Sequence, residues 1–338
     1  MIHVAIIGFG FMGVTHAVHI RRNPRMKLAA IVTRSVDHID AKLNGQVGNF
    51  PVGDLDADAI RDVPRFDTLE ACLQQVKLDA VHICVHTDLH IAIATEAMNR
   101  GLHVFLEKPF TLNIAEGERL IHLSREKNLK LMIGHVVRFM PAYRKLKEWI
   151  DTNPLGPLSF ISLTRFTGLP AWGQWKEKQT ARGSSGGALF DLLIHDIDFL
   201  AYALGEPEAI ESIGYPGALS DHDYISAHWR YKHFSAKVEG GNIFHATFPF
   251  QAGFMAHFQK ASVVYSSQSP EFIHVCTPDK NFTVPAGDAN EGFYEEIDYF
   301  ASCILRDVPP VECMPEASLR TIDLCYRHQR VGGFHSEG

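Results

Sequence analysis

Ile2-His3-Val4-Ala5-Ile6-Ile7-Gly8-Phe9-Gly10-Phe11-Met12-Gly13 is the stretch from which the fold is read. An apolar, β-prone run passes directly into G-x-G-x-x-G, and a helical pattern follows from about Val14 to Arg22. That strand–turn–helix context is what makes the spacing a signal of dinucleotide binding, since glycines alone also serve plain turns. Gly8 permits the tight turn, Gly10 lets a pyrophosphate approach the backbone, and Gly13 allows close helix–strand packing. The helix start then offers N–H groups and a favourable dipole to phosphate. Phe9, Phe11 and Met12 share the loop and are counted with the cofactor contacts.

The next strand, expected over Lys27–Val32, carries the choice of cofactor. Folds that select NAD place an acid at its end, on the ribose 2′-hydroxyl. Here Thr33 and Arg34 stand there, and the first acid, Asp37, falls in the expected following helix. A hydroxyl beside a guanidinium suits a 2′-phosphate, so NADP(H) is the expected preference, with NAD(H) possible. The alternative is that Arg34 stacks on adenine or faces solvent. Strand and helix patterns alternate to about residue 134, as in a parallel sheet. Val81–Val85 reads as the fourth strand and Ile91–Arg100 as the helix after it, while the polar, acidic insert from Gly45 to Pro64 reads as a surface loop.

Val104-Phe105-Leu106-Glu107-Lys108-Pro109 reads as another core strand ending in charge. A desolvated ammonium is costly unless something pairs with it, and the carboxyl ends of such strands are where ligands bind. Lys108 is therefore a candidate catalytic residue, the alternative being a surface lysine just past a strand. His82, His86 and His90 are evenly spaced but straddle a strand and a turn, so no metal site is expected from them. Thr87 and His90 are placed along the cofactor cleft instead.

Downstream, Gly183-Ser184-Ser185-Gly186-Gly187 leads into a mostly apolar helix over Gly187–Leu204. Asp191, His195 and Asp198 are spaced four and three apart and share one face. Asp196 lies off that face and is expected to be solvated or capping. An acid beside an imidazole suits proton transfer near neutral pH, although a buried structural pair would show the same spacing. Asp-x-x-x-His also offers two metal ligands, but no third stands at a familiar distance in sequence.

Taken together, these segments resemble the Gfo/Idh/MocA oxidoreductases. The resemblance rests on GFGFMG at 8–13, Thr87-Asp88-Leu89-His90, EKP at 107–109, Arg138-Phe139-Met140-Pro141-Ala142-Tyr143, GGALFDLLIHDID at 186–198 and the Pro309-to-Arg320 region. It implies that Lys108 contacts the reacting hydroxyl and the nicotinamide, that Glu107 belongs to the cofactor site, and that the Lys108–Pro109 bond is cis. It further implies His195 as general acid/base and Asp191 as the group that binds or orients substrate beside it. Many sugar and polyol members carry paired arginines where this chain has Val137-Arg138, so a polar clamp is reduced to Arg138. Arg165, at the end of the strand Leu158–Thr164, is a second candidate for substrate contact. Trp172, near Trp175 in the loop from Leu169, is a third, with an interdomain or subunit contact as its alternative.

The second half is rich in strands without intervening helices: Leu158–Arg165, Ala209–Gly214, Tyr224–Tyr231, Ala236–Ile243, Gly253–Phe258, Ser262–Tyr265 and Phe272–Val275. That pattern predicts an α+β domain with a large, mainly antiparallel open sheet. The expected organisation is an α/β Rossmann domain over 1–134 and a substrate-binding and oligomerisation domain over 135–338. Phe, Tyr and Trp on the outer sheet face need covering, and the resemblance implies face-to-face pairing into a homodimer or homotetramer.

Composition narrows the function classes. A formal charge of −7 and a pI near 6.2, with no basic stripe, give no basis for nucleic-acid binding. No apolar run is long enough to span a membrane. The N-terminal apolar run lacks the basic flank of a signal peptide, and six scattered cysteines suit a reducing cytosol. The expected function is NAD(P)-dependent hydride transfer at a hydroxyl or carbonyl carbon of a sugar, polyol or related small molecule. The alternatives are a hydrolase or epimerase that retains its nicotinamide, and a non-catalytic sugar sensor on the same fold.

Overall fold

The computed structural model describes residues 1–34, 60–169 and 186–331. The first half runs β1 (Ile2–Ile7), α1 (Phe11–Arg22), β2 (Met26–Val32), β3 (Arg65–Phe66), α2 (Leu69–Leu73), β4 (Ala80–Ile83), α3 (Thr87–Asn99), β5 (His103–Glu107), α4 (Ile114–Glu126) and β6 (Leu131–Gly134). There follow α5 (Pro141–Thr152), β7 (Leu158–Gly168) and α6 (Ile194–Leu204). The strands β8 (Ala209–Tyr215), β9 (Tyr224–Arg230), β10 (Ser235–Phe244), β11 (Gln251–Phe258), β12 (Ser262–Ser266), β13 (Phe272–Cys276) and β14 (Asn281–Pro285) come next. The helices α7 (Glu291–Leu305) and α8 (Pro315–Val331) complete the described chain.

Two compact units result: Met1–His135 with Phe293–Leu319, and Val136–Gly292 with Arg320 onward. The expected 135–338 block is therefore divided, because Phe293–Leu319 packs with the first unit. In α7, Phe293, Ile297, Phe300 and Ala301 are all buried, which gives this late segment an apolar stripe to dock there.

The first unit is a six-stranded sheet in the order β3-β2-β1-β4-β5-β6, parallel throughout. Its central strands are mostly apolar because both faces are covered; Val4, Ala5, Ile6, Val81, Ile83, Val104 and Leu106 are buried. Helix α3 begins at Thr87 with His86 at its N-cap and Asp88 in its first turn, four residues before the expected start. A first turn needs an end signal rather than an apolar face, so periodicity alone locates the helix late.

The second unit holds an eight-stranded sheet, β14-β13-β12-β11-β7-β10-β9-β8. All of its pairings are antiparallel except β10 with β7. The seven expected strands are present. The eighth, β14, is exposed along most of its length and so lacks the alternation that betrays a half-buried strand. Pairing register places Ile213, Met255, Val264 and Phe272 on one face, and all four are exposed. The expectation of a tryptophan on that face is corrected: Trp229 is fully buried, and its indole N–H donates to His328 Nε2 at 2.8 Å.

Candidate functional site

In the first unit the strand order reverses between β1 and β4, and the loops at their carboxyl ends form the crevice where such sheets bind ligands. Gly8 sits at φ +90°, and a Cβ there would lie 2.7 Å from the Cys84 carbonyl oxygen. A Cβ on Gly13 would lie 2.2 Å from the Gly8 oxygen, so only glycine lets α1 seat this close to the loop. Gly10 faces open space within 4 Å. It is also the N-cap of α1, with no side-chain cap and no acid in the first turn. The loop is thus shaped to take a phosphate against its backbone, and its residues fit a dinucleotide. Phe11 and Met12 are half-buried. The Phe9 ring is core, 1% exposed, which leaves its backbone as its only means of contact. At the end of β2, Thr33 is buried and donates its backbone N–H to Phe66, while Arg34 is exposed. Asp37 lies outside the described residues.

Lys108 follows β5, is half-buried, and precedes a cis peptide bond to Pro109, as the resemblance implied. Thr87 is half-buried at the start of α3. The placement of His90 in the cofactor cleft is corrected. Its ring is fully buried, with Nδ1 2.9 Å from the Pro109 carbonyl oxygen and Nε2 3.1 Å from that of Val85. Burial pushes its pKa down, against the pull of those carbonyls. His90 ties α3 to the loops after β4 and β5, and so supports the turn that carries Lys108. Glu107 is likewise turned into the protein: its Oε1 lies 2.9 Å from His16 Nε2, which takes the carboxylate away from a direct cofactor role.

In the second unit the helix expected over Gly187–Leu204 is present, with a π-helical turn at Leu189–Leu193 leading into α6. Such turns are rare and concentrate at functional sites, because the widened turn re-aims a side chain. Between Gly187 and Leu200, every residue is buried except Asp191 and His195. The imidazole and one carboxylate are therefore the two groups this apolar segment offers outward.

The other two acids of the segment are turned inward. Asp198, expected beside them, is 1% exposed. Arg138 grips it through Nε and Nη2 at 2.7 and 2.6 Å, and the Thr321 hydroxyl donates to it at 2.9 Å. Asp196, expected to be solvated, is fully buried and is held by Arg165 at 2.6 and 3.2 Å. The substrate roles expected of Arg138 and Arg165 are corrected accordingly, since both guanidiniums are buried and each is committed to a carboxylate. Trp172 lies outside the described residues. Sequence reasoning also passed over His16 and Glu296, which join His82 and Glu107 in the first unit; the only signal was a histidine on a buried helix and another within an apolar strand.

Comparison with known proteins adds two matches along the chain. Residues 2–135 match a family model described as an oxidoreductase family with an NAD-binding Rossmann fold, and residues 143–277 match one described as the GFO/IDH/MocA C-terminal domain. An oxidoreductase of Formosa agariphila is 34% identical over 146 residues, 42% of this chain and 46% of that relative, so the match spans under half of its length. Inositol 2-dehydrogenase of Rhizobium meliloti is 24% identical over 316 residues, 90% of this chain and 88% of that one. A solved oxidoreductase from Agrobacterium radiobacter, in complex with NAD+, L-tartaric acid and magnesium, superposes with a TM-score of 0.81. It covers 98% of this chain and 96% of that chain at 15% identity, a likeness of fold alone.

Proposed function

The chain belongs to the Gfo/Idh/MocA family of NAD-binding oxidoreductases, and from that premise we propose that it transfers hydride at a hydroxyl or carbonyl carbon of a sugar, polyol or related compound. The observation that carries the reading is that Asp191 and His195 alone are only half-buried along an otherwise buried helical segment. The bound nicotinamide supplies the hydride acceptor or donor. His195 takes the proton of the substrate hydroxyl in oxidation and returns it in reduction, and Asp191 orients that imidazole and favours its charged form. Lys108 stabilises the alkoxide that develops on the reacting carbon's oxygen, an effect that grows as water is excluded. Lys108→Met is expected to lower turnover by at least about a hundredfold, the scale of losing one preorganised electrostatic partner, while cofactor affinity stays within a few-fold. Near-normal turnover of that variant in steady-state assays would remove the reading.

For the cofactor the proposal is a preference for NADP(H), with NAD(H) accepted, supported by an exposed Arg34 at the end of β2 and by a sequence, Thr33-Arg34-Ser35-Val36, that carries no acid there. Arg34→Asp should weaken NADPH binding by about ten- to a hundredfold, the worth of one charge-assisted bond, and leave NADH binding nearly unchanged. Nicotinamide fluorescence titrations check this, and equal losses for both cofactors would overturn the assignment. The exposed Ile213, Met255, Val264 and Phe272 on one face of the second unit's sheet support a homodimer or homotetramer. Among the described residues no helix is long and apolar enough to cross a membrane, and six free cysteines favour a reducing cytoplasm.

A further inference from the structure

Behind Lys108, four titratable side chains meet in the interior of the first unit: His16 from α1, His82 from β4, Glu107 from β5 and Glu296 from α7. Three are fully buried, and Glu107 is 6% exposed. The walls are aromatic: the His82 ring stacks on Phe105 at 4.7 Å, and Phe300 meets it edge-on. His16 Nδ1 lies 2.8 Å from His82 Nδ1, and His16 Nε2 lies 2.9 Å from Glu107 Oε1. Both contacts are satisfied when His82 donates from Nδ1 to His16 and His16 donates from Nε2 to the Glu107 carboxylate, and the reverse direction satisfies them when Glu107 is the donor. Burial first, and His16 second, push the His82 pKa down.

Glu296 does not fit that chain as an anion. Among the described residues neither of its carboxyl oxygens has a hydrogen-bond partner, and a ligand atom of Glu296 lies within 4.8 Å of those on His16 and Glu107. The charged group acting on it is another acid, Glu107. Cys84, just past β4, feels both acids, and its thiol is pushed up by burial and by them. Two carboxylates this close in an apolar enclosure do not both stay ionised unless a cation lies between them; otherwise one of them takes up a proton. The geometry favours the proton, because His16 and Glu107 already stand at hydrogen-bond distance and both nitrogens of His16 are engaged.

We propose that Glu296 is a neutral carboxylic acid at neutral pH, and that its neutrality leaves the Glu107–His16 contact undisturbed and thereby positions Lys108, the next residue along the chain. Glu296 is a positioning residue; this second clause rests on the catalytic reading of Lys108, whereas the protonation does not. Burial and Glu107 raise the carboxyl well above its usual range. The unfolded chain therefore gives up this proton at lower pH than the folded one, and stability falls as pH rises from the ordinary carboxylate range toward the folded value. Gln is the isostere of the neutral acid and removes that loss.

The experiment compares thermal unfolding and steady-state turnover of the full chain and its Glu296→Gln variant from about pH 5 to about pH 9. The variant should match the wild type at the acid end and gain melting temperature relative to it as pH rises. The wild type's turnover should fall on the alkaline side, and the variant's should fall less. Parallel stability curves overturn the protonation, and parallel turnover profiles overturn the link to Lys108. Stoichiometric metal in the purified wild type, lost in the variant, would mean that a divalent cation holds the site and would also overturn the proposal. Should the variant fail to fold, infrared spectra of the wild type decide: a buried protonated-carboxyl stretch at neutral pH supports the proposal, and its absence overturns it.

Discussion

The two units bury acids at the same depth and neutralise them differently. In the second, Asp196 and Asp198 each meet a guanidinium in a two-point grip, and the charge on both partners is retained. In the first, Glu107 and Glu296 meet two imidazoles and aromatic rings, with a proton proposed where a cation would otherwise stand. An arginine cannot be deprotonated inside a protein, so the second arrangement sets a fixed positive charge against each acid, although burial still pushes the Asp196 carboxyl up against the pull of Arg165. A carboxyl beside imidazoles has no such fixed partner. The difference teaches that burial alone does not assign a role to an acid: the partner decides whether it is a fixed rivet or a titrating group.

The largest effect should come from breaking a rivet. Arg165→Met leaves the fully buried Asp196 carboxylate without its partner, and an uncompensated buried charge costs about 3–5 kcal/mol. Equilibrium urea unfolding checks this. Pairing the change with Asp196→Leu sharpens it, because replacing both partners by apolar groups of similar size is often neutral or stabilising. A double variant as unstable as the single one would mean that Arg165 acts through packing, for example against Phe250, 5.8 Å from its guanidinium.

This contrast also marks what the sequence discloses. Gly8, Gly10 and Gly13 are legible because each glycine meets a local demand, and the structure shows a tight turn, an open face and a close approach at those positions. The strands of the second unit are legible through alternation, and β14 is missed where both of its faces are wet. Asp191 and His195 are legible because one helix carries both. Asp196 and Asp198 are misread on the same helix, since their partners lie 31 and 60 residues away in sequence. No periodicity connects α6 to Arg165 or Arg138. Glu296 is harder still: it lies 189 residues from Glu107, and its segment returns to the first unit after the whole second sheet has been built.

The smallest effect should come from the same kind of pair placed at the surface. Arg327 Nη1 lies 3.4 Å from Glu206 Oε2, with the side chains 27% and 51% exposed. The chemistry is that of Arg165 with Asp196, but water solvates both partners before and after the contact is broken. Glu206→Ala should therefore cost no more than about 1 kcal/mol, and less at high salt. If urea unfolding of Glu206→Ala and Arg165→Met gave equal losses, enclosure would not be what makes the inner pair strong. If the surface loss is small and vanishes with salt while the inner loss persists, depth is what separates the two pairs.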